Sequence, residues 1–72
     1  MTMEDKISMA QNQNFLCLGC GNHKTINQLY VDHNHTTGEV RGLLCGKCNS
    51  VLGFAKDSVE TLTNLIRYLR NN

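Results

Sequence analysis

Val59, Leu62, Leu65, Ile66 and Leu69 recur at the spacing of one face of an α-helix. Just before them, Asp57-Ser58-Val59-Glu60 has the form of a capping box with Asp57 as the cap. A helix over residues 57–70 is predicted. Its apolar stripe is expected to pack on its own domain and close the core, with a homodimer through the same face as the alternative. At the other end of the chain a thinner stripe, Met3, Ile7 and Ala10, predicts a helix over residues 4–13, although the Asn and Gln content there lowers helix propensity. Between the two, residues 28–31 and 40–44 are short apolar runs separated by a polar segment containing "TTGE". They predict a β-hairpin with a long loop, in which Gly38 can take a positive φ at little cost. In "CGKCNSVLGF", the apolar Val51, Leu52 and Phe54 beyond the last cysteine predict a short helix, its length limited by Gly53.

A chain of 72 residues is one domain, residues 1–72, and a domain near this size buries only about 60% of the surface its unfolded chain exposes. Such a core is marginal and calls for a staple. The four cysteines supply it. They form two Cys-x-x-Cys knuckles, Cys17/Cys20 and Cys45/Cys48, separated by 24 residues, able to grip one zinc ion tetrahedrally at about 2.3 Å per thiolate. The start of the sequence, "MTMEDKISMAQNQNF", lacks the basic and apolar regions of an export signal. A cytoplasmic location is expected, where disulfides are disfavoured; a redox pair is the alternative reading of the knuckles. No segment has the roughly 20 apolar residues of a membrane helix.

Four thiolates fill a structural zinc site and leave no position for water or substrate. Asp32, His33, His35 and Asn49 therefore have no structural ion to serve. Asp32 and His33 can share a site only if the strand loses regularity between them, because neighbours on an ideal strand face opposite ways. A carboxylate and the amide oxygen of Asn49 beside an imidazole make a hard-oxygen site suited to magnesium with an adjacent general base. The competing reading is that both histidines are loop residues hydrogen-bonded to backbone. Arg41 is a phosphate clamp in one reading, for its planar fork suits that ligand, and a partner of Glu39 or of a carbonyl in the other.

The segment "DHNHTTGEVRGLLCGKCNSVLG" resembles the signature of the recombination endonuclease VII family, phage-type nucleases of the HNH or ββα-metal class. The resemblance runs from Cys17 to Leu69. It implies an α+β fold: a small zinc-stapled ββα-metal domain with flanking N- and C-terminal helices. It implies a metal-dependent DNA endonuclease in which Asp32 and Asn49 ligate magnesium or manganese, while His33 deprotonates the water that attacks a phosphodiester, giving 5′-phosphate ends. His35 matches the family's second histidine, with a role on the phosphate or the leaving group. DNA, a second copy of the chain, and phage recombination or packaging proteins are the partners so implied, in a bacterial host's cytoplasm.

Two departures stand out. Asn34 occupies a position where family members often carry a second aspartate. The family's namesake also has a C-terminal extension used for dimerisation and branched-DNA recognition, whereas this sequence ends at Asn72. The formal charge of +1 falls to about −1 once four thiolates and zinc are counted, a weak footprint for a nucleic-acid binder. That charge fits an alternative function from another class, a non-catalytic zinc-stapled module binding nucleic acid or protein within a phage assembly.

Overall fold

Thr2 opens the first helix by a reciprocal cap: its hydroxyl accepts from the Asp5 N–H at 3.1 Å, and its own N–H donates to the Asp5 carboxylate at 3.1 Å. Those bonds satisfy donors that a helix start otherwise leaves open, and they hold the Asp5 carboxyl below its ordinary range. In the computed structural model, which describes residues 1–71, α1 spans Met3–Asn12 and is followed by a short 3-10 turn, Ile26–Gln28. Then come β1 (Leu29–His33), β2 (Val40–Cys45), α2 (Gly46–Phe54) and α3 (Val59–Arg70). The fold is α+β, with the two strands paired antiparallel. Both strands run further than predicted, β1 to His33 and β2 to Cys45, while Gln28 falls in the 3-10 turn.

Residues paired across an antiparallel ladder lie on the same face. Leu29 with Cys45 and Val31 with Leu43 make one face of the hairpin; Tyr30 with Leu44 and Asp32 with Gly42 make the other. Among the described residues, the buried apolar ones are Ala10, Cys17, Leu29, Leu43, Leu44 and Cys45. Two of these six, Cys17 and Cys45, belong to the cysteine knuckles, so the core runs into the sulfur cluster.

The chain end of α1 is fastened to the hairpin by one side chain. The Gln13 amide donates to the Leu43 carbonyl at 2.9 Å and to the Leu16 carbonyl at 2.6 Å, while its oxygen accepts from the Leu43 N–H at 3.2 Å. It thus does for the outer edge of β2 what a third strand would do. Gln13→Ala removes the partner of the Leu43 N–H and leaves the Leu43 carbonyl to the longer bond from the Leu18 N–H at 3.4 Å, and is expected to cost about 1–3 kcal/mol. Urea denaturation of the zinc-loaded variant measures it; an unchanged midpoint would show that water replaces the amide without loss.

Two sequence expectations are corrected at the C-terminal end. Asp57 is not the cap of α3. Ser58 is, its hydroxyl accepting from the Thr61 N–H at 3.1 Å. Asp57 and Lys56 both adopt left-handed backbone, φ 55° and 54°, in the turn between α2 and α3. An N-cap takes extended backbone, which Ser58 has and Asp57 lacks. Nor does α3 close the core: no residue of it is buried, and Val59 and Leu69 are 77% and 71% exposed. The short helix expected after the second knuckle is α2, which ends at Phe54, one residue beyond Gly53 and just before the left-handed pair.

Candidate metal centres

The four cysteine sulfurs lie within 4.8 Å of one another, a set that can hold one zinc ion. Cys17 comes from the loop after α1, and Cys45 is at once the last residue of β2 and the N-cap of α2. Burial disfavours a thiolate at Cys17. The backbone N–H groups of Cys45, at 3.2 Å, and Gly19, at 3.3 Å, with Cys20, outweigh it and pull this thiol down to about 6. The Cys48 N–H chiefly lowers Cys45, whereas burial and then the neighbouring sulfurs push Cys48 up to about 12. Four sulfurs so crowded cannot all ionise beside one another without a cation between them. The donor set therefore fits a thiolate-bound metal.

Gly19 is part of that fit. A Cβ there would sit 2.8 Å from the Cys48 sulfur and 2.9 Å from its Cβ, atoms that a bound ion would hold in place. Gly19→Ala should displace a ligand and weaken zinc binding by at least tenfold, as changes around a metal's ligands commonly do. Competition with a chromogenic chelator measures it. Equal affinities would mean that the knuckle shifts as a unit.

The second cluster depends on a break in the hairpin. Asp32 pairs with Gly42 but His33 pairs with Val40, so Arg41 stands opposite no residue. Such a bulge re-aims the side chain of the extra residue. Arg41 thereby meets Asp32 on one face: Nε donates to Oδ2 at 2.7 Å and Nη2 to Oδ1 at 3.1 Å. Asp32 is only 7% exposed, and a paired fork of this kind is what makes a buried carboxylate tolerable. The bond to Asp32 also raises the Arg41 guanidinium above its ordinary range. Nη2 reaches Asp57 as well, at 3.4 Å, and Asp57 lies 3.5 Å from His35 Nε2. The acids that Arg41 pairs with are thus Asp32 and Asp57.

His33 is exposed at the end of β1, and Asn49 is exposed on α2; both stand outside this hydrogen-bonded group. Asn34 has a local task. Its side-chain oxygen accepts from the N–H groups of Thr36, at 2.8 Å, and Thr37, at 3.1 Å. This turn starts the loop, which Gly38 completes at φ 78°. A cavity of about 630 Å³ opens beside the cluster, lined by Asn34, His35, Arg41, Lys56 and Asp57 among others. The structure thus links Asp32, Arg41, Asp57 and His35, whereas the sequence sets Asp32 with His33 and Asn49 and offers Asp57 only as a helix cap. No short-range pattern marks Asp57, because it stands 16 residues beyond Arg41.

Among the described residues no helix is long and apolar enough to cross a membrane. The chain is 57% identical over 44 residues to the Gene 59 protein of Mycobacterium phage D29, covering 60% of this chain and 27% of that one. It is 53% identical over 45 residues to the Gene 59 protein of Mycobacterium phage L5, covering 61% and 27%. It therefore spans about a quarter of the length of the curated relatives it matches. The family profile described as recombination endonuclease VII matches residues 1–71, the whole of the described chain. With the cysteine box and the bulged hairpin in place, the chain belongs to the recombination endonuclease VII family.

Proposed function

We propose that this domain is a divalent-metal-dependent DNA endonuclease of phage type, acting on branched or recombining DNA, with a structural zinc held by Cys17, Cys20, Cys45 and Cys48. The observation that carries the reading is the register shift between Asp32 and His33. It falls where a nearly buried carboxylate, Asp32, is followed in the chain by an exposed imidazole, His33, at the end of β1, within a chain of a nuclease family. Asp32 and Asn49 supply hard oxygen donors for magnesium or manganese. When bound, that ion supplies charge stabilisation for the phosphate and the departing oxygen. His33 takes the proton of the attacking water. His35, which lines the neighbouring cavity, would meet the phosphate there. Arg41 serves the substrate phosphate only after it loosens from Asp32. The exposed apolar stripe of α3 supports a homodimer, which would present two sites to the two strands of a junction.

Purified zinc-loaded protein incubated with supercoiled plasmid and magnesium or manganese tests the proposal: nicking is expected, and its loss with His33→Ala. No nicking by the wild type across several divalent ions removes the reading.

One observation favours a second reading. Both oxygens of Asp32 are engaged by Arg41, as they would be in a scaffold with no catalytic ion, used to bind nucleic acid or a phage assembly protein. Such a module shifts DNA on a gel without magnesium and leaves it intact with magnesium.

A further inference from the structure

Asp57 caps no helix, yet its carboxylate is one of two that the Arg41 guanidinium meets. Its backbone is held in the left-handed region directly after Lys56 in the same conformation. For residues other than glycine this costs on the order of 1 kcal/mol each and persists only where surrounding contacts over-determine it. Backbone bonds hold the turn, the Asp57 N–H to the Leu52 carbonyl at 2.9 Å and the Lys56 N–H to the Gly53 carbonyl at 3.1 Å, and it sets the Asp57 carboxylate 3.4 Å from Arg41 Nη2 and 3.5 Å from His35 Nε2, at the wall of the cavity beside the hairpin loop.

The electrostatics of Asp32 give this arrangement a purpose. A divalent cation drawn to Asp32 must take at least one oxygen that now accepts from Arg41. The guanidinium then shares that carboxylate with a doubly charged ion, and even with its side chain 37% exposed the two cations repel at such close range. A second acceptor within reach removes that obstacle. Asp57 already lies at the edge of hydrogen-bond distance from Nη2, so a turn of the arginine side chain suffices and the backbone need not move.

We infer that Asp57 is a positioning residue that takes Arg41 over from Asp32 when a divalent cation binds, so that cation and guanidinium occupy neighbouring carboxylates. The inference rests on the proposed role of Asp32 as a metal ligand. Asp57 acts through Arg41 and does not touch the ion. It keeps the arginine beside the cavity, on the side of His35, where a phosphate can meet it.

Mn²⁺ titrated into zinc-loaded protein, with free ion read by its paramagnetic resonance signal, tests this without reference to cleavage. Asp57→Asn is expected to weaken Mn²⁺ binding about tenfold, the effect of leaving one extra positive charge uncompensated nearby. In an Arg41→Gln background the same replacement should change affinity by about twofold or less, since the group it acts through is gone. Equal losses in both backgrounds would make Asp57 a direct ligand and overturn the inference. So would an unchanged affinity in Asp57→Asn while Asp32→Asn abolishes binding; that result leaves the metal role of Asp32 standing. Binding insensitive to Asp32→Asn removes both together. The unmutated protein gives a second readout: on adding Mg²⁺, the Arg41 Nε–H resonance should shift yet stay protected from solvent exchange. A signal lost to exchange would mean that the arginine is released to water, against the inference.

Discussion

Stripping the metal from the zinc-loaded protein with a chelator is expected to unfold it, and restoring zinc to refold it. The six buried apolar residues include only three leucines and one alanine besides Cys17 and Cys45. A domain of this size draws no more than about 3–5 kcal/mol from its core alone. Apparent zinc binding energies in small finger peptides run to roughly 10–16 kcal/mol. A zinc ion so bound would outweigh the apolar core as a source of stability, and its removal should leave the hairpin unsupported at both ends. Cys17 anchors the segment after α1, and Cys45 joins β2 to α2. Far-UV circular dichroism before and after chelation, with zinc content verified, measures the effect. A cooperative melt unchanged in the zinc-free protein would show that the apolar contacts and the Gln13 bridge suffice.

Replacing His33 by alanine is expected to lower the nicking rate by about 10²–10⁴-fold, the usual contribution of a general base. The imidazole is exposed at the end of β1 and makes no hydrogen bond among the described residues. The variant should therefore fold and hold zinc as the wild type does, so that lost activity reports chemistry and not stability. Retained nicking at the wild-type rate, with zinc and fold intact, would assign proton removal to another group. His35→Ala is the internal comparison, for it stands on the cavity side against Asp57.

Much of the fold is legible in the chain. Two-residue spacing within each cysteine pair fixes both knuckles, the apolar runs about Gly38 fix the hairpin, and helical periodicity marks both end helices. What periodicity cannot say is what covers an apolar face, so the stripe of Val59, Leu65, Ile66 and Leu69 is as consistent with a closed core as with the exposed face observed. Asp57 and Ser58 are both good caps in adjacent positions. The choice falls to the backbone, which the left-handed turn after α2 settles in favour of Ser58. That shift of one residue frees Asp57 for Arg41. The candidate site is legible as a set of residues but not as an arrangement. The bulge at Arg41 comes from how the Asn34 turn brings β2 back against β1, a matter of register that side-chain chemistry alone does not encode.

Cys45 holds four posts at once: last rung of the ladder, first residue before α2, member of the core, and sulfur of the cluster. Sheet, second helix and ion capture are therefore expected to form together. Refolding should be gated by the encounter of chain and ion, its pace following free metal concentration more closely than the time the chain needs to search its own conformations.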